Sequence, residues 1–348
     1  MARSGIIYGD SGSYKTTAVK HFARYIYETT GKRTKLLSMD GGGWEPCAPE
    51  VTAGVIDPYR CTMVNPLPML RKLSQGYWPE DPTQTAAEKL NMIPINWNEF
   101  GGIAIEGLTS ISNALMRLCQ DKAIVVGGEK EFNLSKFSQR VIVEGVLATE
   151  DFASATRGHY KFVQDQVYSL IMNCNGLPCD YALYTALESR TEDDDRSTVY
   201  GPQIVGKKAT NQASSWVGDC IHSQGYAVER IVKTPDPADP SKMIETPIID
   251  TVVRSYFKKH PDPATGLMFP AKPRVTPEMT GELEKIYPGG YYTPTTEHGF
   301  DRYMHAVDKL QSGKAVDSVR AWREAVDAKH GRGASAQKPR LPEPEKKG

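Results

Sequence analysis

Long apolar runs, net charge and closely spaced cysteines are what this 348-residue sequence has little of. The longest plain apolar stretches, such as Ala123-Ile124-Val125-Val126, are of strand length. A membrane-spanning helix needs ~18 apolar residues, so no membrane partner is expected. Lys and Arg number 42, Asp and Glu also 42, and the formal net charge is zero. That balance excludes a protein that coats nucleic acid or anionic lipid through bulk charge. It leaves a local basic groove open, because steering depends on how charge is distributed. Six cysteines are scattered along the chain. The nearest pair, Cys174 and Cys179, has no histidine cluster beside it, which favours reduced thiols in a cytosolic interior over a disulfide or metal framework. A strand-like segment begins by about Gly5, which leaves no expected room for a signal peptide, and a cytoplasmic location is expected.

The composition is otherwise that of a chain able to bury a core, with 39% hydrophobic and 24% charged residues. Strand-like and helix-like patterns alternate over the first 120 or so residues. Ser4–Tyr8 reads as a buried strand, Thr16–Thr30 as a helix with Val19, Phe22, Ala23 and Ile26 on one face, and Lys35–Met39 as a second strand. Gly54–Asp57 and Gly102–Ile105 are further strands, with helices expected at Pro68–Leu73 and Ser110–Leu118. After a long polar segment come a helix at Phe162–Asn173 and a strand at Tyr181–Thr185. Such alternation implies parallel strands joined by right-handed crossovers, an α/β sheet covered on both faces. From Tyr226 the texture becomes β-branched, and Ala227–Lys233 with Ile248–Tyr256 predict an antiparallel hairpin. Helices are expected at Thr276–Ile286, Gly299–Lys309 and Ala315–Ala328. The division expected is a core over 1–275, a helical extension over 276–330 and a disordered Gly/Pro/Lys/Glu-rich tail over 331–348.

One stretch carries chemistry. Gly9-Asp10-Ser11-Gly12-Ser13-Tyr14-Lys15-Thr16-Thr17 follows the first strand directly and opens the first helix. That is the setting of a Walker A loop, whose backbone N–H groups and helix N-terminus face phosphate oxygens. Lys15 would contact the β/γ-phosphates of ATP, and the Thr16 hydroxyl would ligate Mg²⁺. Tyr14 departs from the pattern, standing where the motif has glycine. The matching acid is Glu106, which ends the apolar run Ile103-Ala104-Ile105 and precedes Gly107-Leu108-Thr109-Ser110. A carboxylate there would hold Mg²⁺ through its water.

With those residues in that order, the chain resembles RecA-like P-loop ATPases. The likeness is greatest to the phage-encoded AAA-type nucleotide-binding proteins related to single-strand annealing factors, and it covers about residues 4 to 275. The resemblance implies a RecA-like core with a parallel central sheet, a C-terminal β-hairpin and a helical appendage. It also implies ATP hydrolysis with Mg²⁺, and work as a homo-oligomeric ring or filament in DNA recombination or replication, in a host cytoplasm if phage-encoded. Residue by residue, it implies that Asp40 at the end of the second strand polarises the attacking water. Thr185 falls at the sensor position, with Glu188 as an alternative. Lys272 and Arg274 in Phe269-Pro270-Ala271-Lys272-Pro273-Arg274 match a Lys-x-Arg finger that reaches a neighbour's γ-phosphate, with Gly206-Lys207-Lys208 competing for that role. DNA-binding loops would fall between the Walker B and sensor strands. That interval holds Lys130, Lys136, Arg140, Arg157, His159, Tyr160 and Lys161, with Phe132 and Phe137 interleaved, a combination suited to single-stranded DNA. Glu129, Glu131, Glu144, Glu150 and Asp151 nearly cancel that charge. A nucleotide-dependent assembly or switch protein, with a protein partner and no DNA role, is therefore the alternative.

Overall fold

The computed structural model describes residues 2–39, 44–62, 65–81, 90–121, 136–143, 146–153, 157–192, 198–235, 237, 242–262 and 265–329. Asp40, Lys130, Phe132 and the tail from residue 330 onward lie outside the described residues. The chain opens with β1 (Arg3–Gly9), α1 (Lys15–Thr30), β2 (Arg33–Ser38), α2 (Ala48–Thr52), β3 (Ile56–Arg60) and α3 (Leu67–Leu73). Next are a small hairpin, β4 (Tyr77–Pro79) and β5 (Met92–Pro94), then β6 (Phe100–Glu106) and α4 (Leu108–Asp121). A second hairpin, β7 (Lys136–Val143) and β8 (Val146–Ala153), leads into α5 (Arg157–Asn175), β9 (Tyr181–Glu192), β10 (Thr198–Pro202) and α6 (Lys207–Gln212). The remainder is β11 (Asp219–Pro235), β12 (Met243–Tyr256), β13 (His260–Pro261), β14 (Met268–Phe269), α7 (Pro277–Ile286), β15 (Tyr291–Tyr292), α8 (Phe300–Gln311) and α9 (Val316–Lys329).

One mixed sheet organises these elements, in the order β15-β12-β11-β1-β9-β6-β2-β3, with β10 on β9. From β11 to β3 all pairs are parallel, and β12, β15 and β10 are antiparallel additions. Parallel strands covered on both faces read as continuous apolar runs, and β1 and β6 are buried along almost their whole length for that reason. Side chains alternate between two cores. Ile6, Tyr8, Leu37, Ile103 and Ile105 pack with residues of α3, α4 and α5 on one face. Ile7, Leu36, Ala104 and Leu183 pack with Val19, Phe22 and Ile26 of α1 on the other.

The C-terminal helices join that second core. Phe300, Tyr303, Met304 and Val307 of α8 belong to the same cluster as α1. Lys20 Nζ donates to the Thr296 carbonyl at 2.9 Å, and an Arg24 guanidinium nitrogen to that of Glu297 at 2.7 Å. Residues 276–330, read from sequence as an extension, thus help bury the face of α1. Two further differences from the sequence reading matter. The polar interval before α5 contains a β-hairpin, and β9 continues to Glu192 rather than ending at Thr185. Its far half departs from the apolar pattern because there the partner is β10 alone.

Candidate phosphate-binding site

The order of the central strands decides where the chemistry lies. β9 separates β1 from β6, so the loop after β1 and the acid ending β6 face each other across one intervening strand. Parallel strands end together, and their C-terminal edge is where open α/β sheets take ligands. Gly9, Glu106 and Thr185 all reach that edge. In register, Ile7 lies beside Thr185 and Gly9 beside Leu187.

The loop has a defined geometry. Gly9 lies against β11 so closely that an added Cβ would fall 1.9 Å from the Ser223 carbonyl oxygen. Gly12 has φ +77° and open space where a side chain would be. Tyr14, the departure from the motif, also has φ +64° and directly precedes α1. The chain therefore keeps a left-handed residue at this position although the residue is not glycine. For an L-residue that conformation costs roughly 1–2 kcal/mol. Lys15 Nζ bridges the loop from within, donating to the carbonyls of Gly9 (3.0 Å) and Asp10 and to Ser13 Oγ (3.3 Å). Ser13 Oγ in turn donates to the Asp10 carbonyl at 2.7 Å. The ammonium is thus held by the loop's own oxygens, and a bound anion would replace these carbonyls with its own oxygens.

Across the edge, the Thr16 hydroxyl donates to the Glu106 carboxylate. Glu106 is 2% exposed. A hydroxyl and a carboxylate at one point form a hard-oxygen donor set, the kind Mg²⁺ takes together with phosphate oxygens and retained waters. These residues fit that ion. Cys47 packs beneath, its thiol directed at the Thr16 carbonyl at 3.5 Å, and burial followed by the nearby carboxylates of Glu106 and Glu50 holds it protonated.

Thr185 is buried, and its hydroxyl oxygen accepts the Gly107 N–H at 3.0 Å. It braces the turn after Glu106 from the intervening strand. Thr109 Oγ1 does similar work, donating to the Gln203 carbonyl at 2.8 Å and accepting from Leu187 N–H at 2.9 Å. Glu188, the alternative to Thr185, is engaged on the other face of the sheet. His222 Nε2 is 2.8 Å from its carboxylate, and His222 Nδ1 is 2.8 Å from His260 Nε2. Burial, reinforced by His222, brings His260 down to about 3 and keeps it neutral. The His222 ring lies 4.8 Å from that of Tyr8, whose side chain points away from α1.

The remaining candidates lie elsewhere. Lys272 pairs through its backbone with Cys220, and Arg274 N–H donates to Asp219 at 2.7 Å. The Arg274 guanidinium reaches the Ala2 carbonyl at 3.3 Å, beside the N-terminal end of β1, the end opposite Gly9. Lys207 and Lys208 open α6. Of the basic interval, Arg157, Tyr160 and Lys161 are exposed and His159 is buried, while Lys136, Phe137 and Arg140 belong to β7. Cys174 and Cys179 are buried free thiols. Sequence reasoning overlooked Ser38, the last residue of β2, paired in register with Glu106. Its place beside the acid comes from strand pairing, for which the sequence offered no signal.

No helix among the described residues is long and apolar enough to cross a membrane. No protein-family model matches the chain, and no curated protein matches it by sequence. Among solved structures, a KaiC-like protein from the hyperthermophilic archaeon Pyrococcus horikoshii is similar over 77% of this chain and 89% of that one, at 8% identity and a TM-score of 0.33. A likeness that loose carries no weight for fold or function.

Proposed function

We propose that the chain is a Mg²⁺-dependent ATPase of RecA-like type that binds nucleotide on Gly9–Thr17 and works as a homo-oligomer on single-stranded DNA. The observation that carries the nucleotide reading is the hydrogen bond from Thr16 to Glu106. It joins the first turn of α1, directly after the loop, to an acid 90 positions away in sequence, at the edge where a triphosphate would lie.

In this reading the N–H groups of the loop and of the first turn of α1 bind phosphate oxygens, aided by the helix dipole. Lys15 leaves the Gly9 and Asp10 carbonyls for the β/γ-phosphates. Thr16 directly, and Glu106 through a water, would hold Mg²⁺, which when bound would supply neutralisation of the phosphate charge. Asp40 orients and accepts a proton from the attacking water. Thr185 keeps Glu106 in place through Gly107. Lys272 and Arg274 act on a neighbouring copy's γ-phosphate, where a permanently charged guanidinium suits the developing charge. Their place toward the N-terminal ends of β1 and β11 suits a head-to-tail neighbour, an arrangement that builds rings or filaments. DNA would be taken by the segment from β7 to the start of α5, with Arg157, Tyr160 and Lys161 exposed.

A second reading is favoured by one observation. Beyond Ser223, β11 and β12 continue as a two-stranded ribbon on which Ile231, Met243, Ile244 and Ile249 are exposed. Over residues 226–251 the sequence has three Lys/Arg against five Asp/Glu, which suits a protein partner better than a nucleic acid. Turnover of ATP measured with and without single-stranded DNA separates the two. Stimulation by DNA, lost at high salt, supports the first reading; turnover indifferent to DNA but dependent on protein concentration supports the second. For the finger, Arg274→Ala should abolish turnover and leave ATP affinity nearly intact. Parallel loss of affinity would remove its role in trans.

A further inference from the structure

Ser38 ends β2 with its side chain fully buried, and its hydroxyl has no hydrogen-bond partner among the described residues. A buried polar group left unpaired destabilises the fold, and such groups call for an explanation, a bound water or ion among them. Thr34 on the same strand has a hydroxyl in the same condition. It lies toward the other end of β2, where a Cβ added to Gly102 would fall 2.7 Å from it and 3.0 Å from Phe22. No ligand reaches that place.

Ser38 is at the opposite end, the nucleotide edge. Parallel pairing puts it beside Glu106. Leu37 and Ile105 point to the face of α4 and α5, and Leu36 and Ala104 to the face of α1. Alternation therefore turns both Ser38 and Glu106 to the α1 side. There Glu106 already accepts from Thr16. Three oxygen-bearing side chains from β2, β6 and α1 thus occupy one corner, and the hydroxyl of one has no partner among the described residues.

Resting on the nucleotide reading above, we infer that Ser38 is a positioning residue for the nucleotide's Mg²⁺, its hydroxyl accepting a hydrogen bond from a water the ion carries. Mg²⁺ sheds water reluctantly and usually keeps several ligand waters. Each is a strong donor that needs an acceptor. A serine oxygen accepts while remaining neutral, so it fixes a water without adding charge beside Glu106. Outer-shell partners of this kind typically contribute about 10–100-fold to metal affinity.

The test uses the full chain with ADP and Mn²⁺, reading free Mn²⁺ by electron paramagnetic resonance. Ser38→Ala should weaken Mn²⁺ binding to the ADP complex by roughly 10–100-fold. ADP affinity in EDTA should stay at the wild-type value. The melting temperature without nucleotide should not fall, because the substitution removes an unsatisfied group. Ser38→Thr, which restores a hydroxyl, should recover most of the Mn²⁺ affinity. Mn²⁺ affinity within twofold of wild type in Ser38→Ala would overturn the inference, as would an equal loss of ADP affinity in EDTA. A wild-type chain that binds neither ADP nor Mn²⁺–ADP would overturn the nucleotide reading itself, and this inference with it.

Discussion

One strand, β11, passes through two opposite environments. Up to Ser223 it is paired with β1 on one side, and on the other with Lys272 at Cys220 and with the end of β12 at His222 and Ser223, both buried polar residues with partners. Past that point β1 has ended, β12 alone accompanies it, and apolar side chains such as Ile231 and Ile249 face solvent. The inner half holds groups in place through surrounding structure, which is what a phosphate site requires. Among the described residues the ribbon has no third strand or covering helix, and two-stranded ribbons alone are marginal in water. Exposed apolar edges are templates for association. The difference teaches that one strand is braced on both sides where it passes the candidate site and leaves apolar side chains exposed where it does not.

The sharpest way to break this comparison is at the buried end. Glu106→Gln keeps the shape and a partner for Thr16 but removes the charge. Mg²⁺ affinity of the nucleotide complex should fall by roughly 10–100-fold, read from the Mg²⁺ dependence of nucleotide binding. An unchanged dependence would detach Glu106 from the metal.

A pH effect of at least that size is expected from α1. Burial first, and then neighbouring cations, lower the pKa of His21 to about 4, against an ordinary value of 6.5. Between these values the unfolded chain binds the extra proton and the folded one does not. Stability is therefore fully present above pH 6.5 and is lost as pH falls toward 4, by on the order of 3 kcal/mol. Denaturant midpoints across pH 4–7 measure it, and His21→Leu should flatten that part of the profile. An equally steep profile in the variant would assign the loss to other groups.

At the exposed end, Ile231→Glu with Ile249→Glu should leave the melting temperature within a few degrees of wild type and lower the assembly state in sedimentation. Retained assembly would show that the ribbon is not the contact. The smallest effect is expected at Tyr14. Glycine there relieves the left-handed penalty but adds freedom to the unfolded chain, so Tyr14→Gly should change stability by about 1 kcal/mol or less in the favourable direction. A destabilisation of 2 kcal/mol or more would mean that the ring makes contacts outweighing its strain.

The geometry of the candidate site was legible in the sequence where its residues are consecutive. Gly9 through Thr17 form one uninterrupted loop, and Ile103–Glu106 is an apolar strand with one acid at its end. What was hidden depended on pairing. Thr185 read as the end of a strand, yet β9 runs on through Ala186 and Leu187 to Glu192, its last part paired with β10. Ser38 gave no periodic signal; its meaning comes only from lying beside Glu106 across two strands. The helices of residues 276–330 were legible as helices, but their burial against α1 depends on partners some 280 positions away, such as Lys20 with Thr296. Asp40, by contrast, remains an expectation of resemblance.

The central claim is that Gly9–Thr17 binds a nucleoside triphosphate through Lys15. Calorimetric titration of the wild-type chain and of Lys15→Ala with Mg²⁺–ATP tests it most directly. The account predicts saturable one-to-one binding in the wild type and a loss of affinity on the order of 100-fold in the variant, the scale of a charged phosphate contact. Absence of binding in the wild type, or equal affinity in the two chains, would contradict it.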